Sequence, residues 1–259
     1  MIVLLSPSKT QDFSVSPRTK VAAIPLFWPQ ACELAGRLRE MNVDEVARLM
    51  KIGASLAADT VERYAGWSDE EPSGRDGSLQ AGYAYTGEVF RGLDFGSFSA
   101  VEAKYAHERL FVISGLYGLA RPLDRIRPYR LEMKTPLTAG TATSLYQFWG
   151  SRPTDALNQA VNRTRSTTVV NLASQESWRV VQPDRLSARV VTPQFREAHQ
   201  GGYRTVAVHA KRARGSMAAW ILRNQITSPH QLADYAQDGY SLHEALSTPD
   251  APVFTRGNR

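Results

Sequence analysis

LFVISGLYGLARPLDRIRPYRLEMK, residues 110–134, joins a strongly apolar run to a loop that is rich in arginine. The apolar run, residues 110–113, predicts a buried strand that would anchor the loop after it. The loop carries four guanidinium groups, which belong to Arg121, Arg125, Arg127 and Arg130. Such concentrated positive charge predicts a site for an anion, and a self-neutralising network of arginines and carboxylates is the competing interpretation.

Apolar runs of strand length alternate with helical patterns along the chain, which predicts an α/β fold with helices flanking a mixed sheet. The predicted strands are Ile2–Leu5, Leu110–Ser114, Thr167–Leu172, Ala188–Val191 and Thr205–His209. The predicted helices are Trp28–Met41, Val43–Lys51, Ala54–Ala65, Ala142–Trp149, Thr154–Thr164 and Gly215–Asn224. Residues 68–80 predict an exposed acidic loop. A chain of 259 residues without a low-complexity linker predicts a single domain, residues 1–259.

The composition is that of an ordinary globular protein, with 42% hydrophobic and 22% charged residues. The formal net charge of +6 favours an acidic partner. The first ten residues, MIVLLSPSKT, have no charged segment before their short apolar run, and no apolar run approaches membrane-spanning length. We therefore expect a cytoplasmic protein without a membrane partner.

Cysteine and histidine are too few and too scattered to predict a metal centre. Cys32 is the only cysteine, which excludes an intramolecular disulfide and any site built from several thiolates. It lies in a helical pattern, so a buried structural thiol is favoured over a nucleophile or redox sensor. The histidines show no HxxxH or HxH spacing; they are His107, His199, His209, His230 and His243. We expect neither a metal nor another cofactor.

Each of the four strongest strand predictions runs into a polar cluster at its carboxyl end. Open α/β sheets bind ligands at this edge, because loops from neighbouring strands meet there. We therefore expect one basic cleft at this edge, with Tyr117, Tyr129 and Trp178 available for stacking on a nucleotide. Besides the four arginines of residues 121–130, the predicted anion-binding side chains are Lys9, Thr10, Ser174, Lys211, Arg212 and Arg214.

Two of these clusters also have structural explanations. The Ser-Pro-Ser turn at residues 6–8 is a common way to end a strand, and Ser174 is a suitable cap for a following helix. The segment AKRARG, residues 210–215, favours an anion, because cations at the start of a helix oppose its macrodipole unless an anion lies between them and the free N–H groups. No Asp or Glu occurs in residues 198–233, which predicts a basic face.

Six blocks of the sequence match a known family in order and at similar spacing. They are SPSKT from Ser6, AYTGEVFRGLD from Ala84, SGLYGLARPLDRIRPYRLEM from Ser114, LYQFWG from Leu145, VVNLAS from Val169 and AKRARG from Ala210. Together they resemble the YaaA family of bacterial peroxide-stress proteins over essentially the whole chain. The resemblance implies the single-domain cantaloupe fold with a large basic cleft. It also implies DNA binding and a role in limiting the oxidative damage that arises when peroxide meets intracellular iron.

The resemblance further implies a helix-hairpin-helix element, which presents backbone N–H groups to DNA phosphates. Residues 43–64 are the best candidate, with two helical patterns joined near Gly53 and Lys51 as a predicted phosphate contact. The usual Gly-x-Gly turn is missing, so an ordinary pair of amphipathic helices is the competing interpretation. Two residues depart from the family's pattern: Ser8 replaces an alanine, and Gln175 replaces an acid. The second change would remove a carboxylate if the family's chemistry needs one.

Two hypotheses of different class follow from these residues. The first is a DNA-binding protein that holds phosphates in the cleft, with steep salt dependence and a preference for DNA structure or damage rather than sequence. The second is an enzyme that acts on a nucleotide, nucleobase or damaged base, with Asp124, Glu132 and Tyr117 as candidate catalytic groups. No triad, metal motif or nucleophile elbow identifies a reaction. Binding of a small anionic ligand as a stress signal is a third hypothesis.

Overall fold

A five-stranded sheet forms the centre of the computed structural model, which describes residues 1–257. The strands are β1 (Ile2–Leu5), β2 (Leu79–Gln80), β3 (Leu110–Ser114), β4 (Gly118–Ala120), β5 (Arg125–Ile126), β6 (Thr168–Asn171), β7 (Arg189–Val191), β8 (Gln194–His199), β9 (Gly202–Arg204), β10 (Ser241–Leu242) and β11 (Val253–Arg256). The α-helices are α1 (Trp28–Arg39), α2 (Val43–Met50), α3 (Ala54–Ala65), α4 (Ala81–Ala84), α5 (Glu88–Leu93), α6 (Ala100–Arg109), α7 (Leu145–Trp149), α8 (Arg152–Thr164), α9 (Gln175–Trp178) and α10 (Ala207–Arg223).

The central sheet has the strand order β4-β3-β1-β6-β7. β1 pairs in parallel with β3 on one side and with β6 on the other, whereas β4 is antiparallel to β3. Every residue of β1, β3 and β6 is buried, as expected for parallel strands that are covered on both faces. The chain leaves β1 toward β3 and later crosses to the other side of β1. The topological switch point of the sheet therefore lies between the carboxyl ends of the adjacent strands β1 and β6.

A second sheet, with the strand order β10-β11-β8-β9, packs into the same core. Phe195 of β8 and Phe254 of β11 stack with their ring centroids 5.7 Å apart, and the Tyr235 ring lies edge-on to both. These three side chains belong to one continuous hydrophobic cluster that also contains β1 and β3. The predicted mixed α/β architecture and the single domain are confirmed.

Most predicted elements form, with their bounds shifted by a few residues. Strands β1 and β3 and helix α3 have the predicted bounds, while α1, α2 and β6 are slightly shorter than predicted. The helix predicted to begin at Ala142 begins instead at Leu145, because the Ser144 hydroxyl accepts a hydrogen bond from the Gln147 N–H and caps it there. The longest helix, α10, has 17 residues, and within residues 1–257 no helix is long and apolar enough to cross a membrane.

The strand predicted at Thr205–His209 is wrong. Strand β9 ends at Arg204, and α10 begins at Ala207. The residues from Ala207 onward are rich in alanine, which has the highest helix propensity, and the buried face of the helix outweighs the short β-branched run. Lys211 and Arg214 consequently lie inside α10, so the macrodipole argument for an anion before this helix no longer applies.

The predicted helix-hairpin-helix segment consists of α2 and α3, which pack against each other. A capping box begins α2, in which Asn42 and Glu45 each accept a hydrogen bond from the other's backbone N–H. The helix ends at Met50, and the next residue, Lys51, has a φ of 53° that turns the chain toward Gly53, the residue that precedes α3. The geometry is that of two helices joined by a short connection.

Two glycines allow α5 and α10 to pack with their backbones in contact. A Cβ atom at Gly92 would overlap the backbone of α10, and a Cβ atom at Gly215 would overlap the Val89 carbonyl oxygen of α5. Only glycine permits so close an approach. This contact holds one face of α10 beside the carboxyl end of β1.

Candidate functional site at the switch point

A cavity of about 470 Å³ lies at the carboxyl ends of β1 and β6. Its wall is formed by residues 6–11 after β1, residues 86–90 at the start of α5, residues 129–134, the segment 172–177 after β6, and Lys211 and Arg214 of α10. This position is the switch point of the sheet, where open α/β proteins bind their ligands. The volume lies within the range of roughly 300–1,000 Å³ that is typical of small-molecule sites.

Three serine hydroxyls form a cluster between the loops after β1 and β6. The Ser6 Oγ lies 3.1 Å from the Ser174 Oγ and 2.9 Å from the Ser177 Oγ, and it accepts a hydrogen bond from the Ser174 N–H at 2.8 Å. Ser174 also caps α9, as its sequence context suggested, since its Oγ accepts a hydrogen bond from the Ser177 N–H. The cluster ties the two loops together at the cavity wall.

Ser8 and Thr10 add two more hydroxyls to the loop after β1. Their side-chain oxygens lie 3.0 Å apart, and the Thr10 N–H donates to the Ser8 Oγ at 3.2 Å. Gly87 lies against this loop with φ of 98°, and a Cβ atom there would lie 2.7 Å from the Ser8 Oγ. Glycine is required at this point because of both its φ and the close approach.

Alternating charges form a network along one side of the cavity. The Lys9 ammonium lies 2.7 Å from Glu132, Lys134 lies 3.3 Å from the other Glu132 oxygen, and Lys134 also lies 3.4 Å from Glu176. Burial raises the pKa of Glu132, but the hydrogen bonds and charges of Lys9 and Lys134 outweigh burial and hold the pKa below its usual value. Glu132 is therefore ionised at neutral pH, where it acts as an acceptor and not as a proton donor.

Three further cations of the cavity wall are unpaired. Within residues 1–257, the side chains of Arg130, Lys211 and Arg214 make no hydrogen bond and no ion pair with the protein. Lys211 and Arg214 are three residues apart on α10, which places them on one face of the helix. Their N–H groups are available to a ligand that brings negative charge.

Arg214 is held partly away from water. Its side chain is half-buried, and burial lowers the pKa of the guanidinium below its usual value. Desolvating a charge without supplying a partner costs free energy. An anion in the cavity would supply that partner, so the chemistry of this wall fits an anionic ligand.

The floor of the cavity is largely apolar and carries one neutral phenol. The Tyr129 hydroxyl lies 2.7 Å from the hydroxyls of both Tyr85 and Ser114. Burial raises the pKa of Tyr129 to about 12, so the phenol stays protonated at neutral pH. The remaining floor residues are aliphatic or aromatic: Val89, Phe90, Ile113, Leu131, Met133 and Leu172.

Arg121 and Asp124 lie outside this cavity and bond to each other. The fully buried Asp124 carboxylate accepts hydrogen bonds from the Arg121 backbone N–H at 2.7 Å and from its guanidinium at 2.8 Å. Burial raises the pKa of Asp124 to about 6, against the opposing effect of the Arg121 charge. The predicted acid or base at Asp124 is enclosed in the protein, and its contacts are those of a structural ion pair.

Arg127 and Tyr117 also lie in the interior. The Arg127 guanidinium pairs with Asp76 at 2.7 Å, donates to backbone oxygens of the acidic loop, and lies 5.0 Å from the centre of the Trp28 ring. The Tyr117 hydroxyl accepts a hydrogen bond from the Arg127 N–H at 2.9 Å, and no part of Tyr117 is exposed. Arg127 thus fastens residues 68–76 to the core.

The structure brings seven of the predicted site residues to one cavity: Lys9, Thr10, Arg130, Glu132, Ser174, Lys211 and Arg214. It places seven others elsewhere: Lys51, Tyr117, Arg121, Asp124, Arg125, Arg127 and Arg212. Arg125 lies against Gly74 of the acidic loop, and the exposed Arg212 projects from α10 beside Lys211 without lining the cavity.

Several residues of the cavity were not among the predicted site residues. Ser6, Ser177, Glu88 and Glu176 line it, together with Lys134. Glu176 supplies a carboxylate one residue after Gln175. The adjacent acid was visible in the sequence, but only the packing of α9 places it in the wall. Within residues 1–257, no group of three or more His, Cys, Asp or Glu side chains is placed to hold a metal ion.

Comparison with known proteins extends the resemblance to the whole chain. A family model described as peroxide stress protein YaaA matches residues 1–246. A UPF0246 protein of Burkholderia thailandensis is 42% identical over 259 residues, which cover 99% of this chain and 98% of the relative. UPF0246 proteins of Ralstonia pickettii and Aliivibrio fischeri are 41% and 40% identical, each over 99% of this chain and at least 98% of the relative. The chain belongs to the YaaA family of peroxide stress proteins.

Proposed function

We propose that this protein binds DNA in the cytoplasm during peroxide stress and thereby limits iron-dependent oxidative damage. The unpaired cations Arg130, Lys211 and Arg214 around the switch-point cavity are the observation that carries the proposal. Guanidinium and ammonium groups without protein partners are suited to phosphate oxygens. Their presence supports the proposal that this cavity is the basic cleft that the family resemblance implies.

Phosphate contacts of this kind position DNA without reading its sequence. We therefore expect binding to be dominated by counterion release and directed to the structure or damage of the DNA. Lys51, between the packed helices α2 and α3, is a second proposed contact if that pair acts as a helix-hairpin-helix element. Cations that neutralise phosphates also displace metal counterions from DNA, which offers a physical route to less iron-dependent damage.

A second candidate function is catalysis on a nucleotide or damaged base in the same cavity. The mixed charge of the wall favours it, because Glu132 and Glu176 lie among the cations beside the Ser6 cluster. Phosphate neutralisation alone needs no carboxylates. A cleaved or abasic product in gels of the binding reactions would support this candidate, and intact DNA would support binding alone.

The proposal is tested by fluorescence anisotropy on a labelled duplex across a salt series. Lys211→Ala should weaken binding similarly on unrelated sequences and flatten the slope of log affinity against log salt by about one unit. Arg212→Ala is the matched control, because it removes the same charge from the neighbouring residue of α10 outside the cavity. Equal slopes for the wild type and Lys211→Ala, or equal losses in the two variants, would contradict phosphate binding in the cavity.

A further inference from the structure

The size of the cavity limits what it can hold. A duplex carries one charge per roughly 1.7 Å of axis and spreads its phosphates along an extended surface. Here Arg130, Lys211 and Arg214 border one cavity of about 470 Å³, a volume suited to a small molecule. A cavity of this volume can hold one phosphate or a few neighbouring ones, but not a length of duplex.

The apolar floor of the same cavity favours a ligand that has an apolar part besides a phosphate. Val89, Phe90, Leu131, Met133 and Leu172 contribute aliphatic and aromatic surface to the same lining as the cations. A bare phosphate would leave this surface facing water. A ligand with an anionic end and an apolar ring would cover both parts of the wall.

Hydroxyl and carboxylate groups of the same lining add directional contacts. The hydroxyl protons of Ser6, Ser174 and Ser177 can rotate from one another toward a ligand oxygen. The Glu176 carboxylate can accept hydrogen bonds from exocyclic amino or sugar hydroxyl groups. A phosphate, a sugar and a base together match these three kinds of group.

We infer that the cavity takes a single nucleotide as its ligand, with the phosphate at Arg130, Lys211 and Arg214 and the base on the apolar floor. The inference rests on the proposed function, and it specifies which part of a nucleic acid enters the site. The same chemistry has two sources: a nucleotide turned out of a DNA strand, and a free nucleoside monophosphate. If the ligand is a nucleotide turned out of a DNA strand, the rest of the duplex binds outside the cavity.

Titration calorimetry with dAMP, deoxyadenosine and inorganic phosphate tests the chemistry of the ligand directly. We expect dAMP to bind at least tenfold more tightly than either fragment, because only dAMP reaches both the cations and the floor. Arg214→Met should lower the affinity for dAMP at least tenfold, and Arg212→Met should leave this affinity unchanged. Val89 is half-buried in the floor, and Val89→Phe would narrow the cavity there. This variant should therefore bind dAMP more weakly, because the base is excluded, and should bind inorganic phosphate with unchanged affinity.

Anisotropy with a matched duplex and with the same duplex carrying one unpaired nucleotide identifies the source. At least tenfold tighter binding of the second duplex, lost in Val89→Phe, supports the extrahelical source. Tight dAMP binding without binding to either duplex supports the free nucleotide and overturns the proposed function. Equal binding of dAMP and phosphate, together with equal binding of the two duplexes, overturns the inference. If Arg214→Met still weakens both duplexes in that case, the proposed function stands.

Discussion

The Glu132 carboxylate lies 2.7 Å from the Lys9 ammonium and joins the loop after β1 to the arginine-rich segment that follows β3. Its second oxygen lies 3.3 Å from Lys134. The Glu132 carboxylate thus forms ion pairs with two of the cations that line the cavity. The positive charge available to a ligand is set as much by this pairing as by the number of basic residues.

Glu132→Gln should strengthen DNA binding and steepen its salt dependence. The change removes the negative charge that holds Lys9, so this ammonium becomes available to phosphate, whereas Lys134 still pairs with Glu176. We expect a slope steeper by about one unit in anisotropy titrations. Glu40→Gln is the control, because Glu40 pairs with Arg37 at the exposed end of α1. Weaker binding by Glu132→Gln would mean that the carboxylate itself contacts the ligand.

Asp124→Asn should destabilise the fold without changing DNA affinity. Asp124 is fully buried and is the partner of Arg121, and removing one member of a buried ion pair costs about 3–5 kcal/mol. Urea denaturation of Asp155→Asn provides the comparison, because the exposed Asp155–Arg185 pair should contribute about 1 kcal/mol or less. Near-native stability of Asp124→Asn with lost activity would make Asp124 a functional group.

The contribution of His107 to the stability of the protein should fall as the pH drops from about 6.5 toward 4, whereas protonation of Asp124, whose pKa burial raises to about 6, acts in the opposite direction. Burial, aided by the charges of Arg121 and Arg163, lowers the pKa of His107 from 6.5 to about 4, and its Nδ1 accepts the Leu123 N–H. Between these pH values His107 binds a proton in the unfolded chain but not in the folded chain, so this group favours unfolding. Melting curves at several pH values should show a smaller loss for His107→Asn, whose amide oxygen preserves the acceptor. Identical pH profiles for the two proteins would refute the assignment.

Gly215→Ala should separate α5 from α10 and weaken ligand binding as well as stability. The new methyl group would overlap the Val89 carbonyl oxygen, and overpacking of this kind costs about 1–3 kcal/mol. Gly36→Ala in α1 is the opposite case, because no atom lies within 4 Å of its added Cβ, and alanine should stabilise that helix by about 0.5–1 kcal/mol. Urea unfolding should therefore move in opposite directions for the two substitutions. A shift in the same direction would contradict the backbone contact.

The sequence predicts the strands of the sheet well and the partners of the arginines poorly. β1 and β3 are continuous apolar runs buried on both faces, so their periodicity is unambiguous. The partner of Arg127 is Asp76, 51 residues earlier, and no local pattern reveals such a pair. The carboxyl ends of β1 and β6 were predictable as a site because parallel pairing brings them together.

The β-branched residues of TVAVH led to the wrong strand at residues 205–209, because local propensity competes with the long alanine-rich face that follows. Because α10 begins in this segment, the basic residues that follow have helical spacing, and residues adjacent in sequence point to different faces of the helix. Lys211 and Arg214 share the face toward the cavity, whereas Arg212 projects elsewhere. The distinction within the AKRARG segment could not be made before the start of the helix was known.

Arg214→Met, examined by urea unfolding and DNA anisotropy together, is the most direct test of the central claim that the cavity's unpaired cations exist for an anionic ligand. Methionine fills similar space without a half-buried charge that lacks a partner. The account predicts unchanged or increased stability, together with weaker DNA binding and a salt slope flatter by about one unit. Reduced stability with an unaltered salt slope would show that Arg214 serves the fold and would contradict the account.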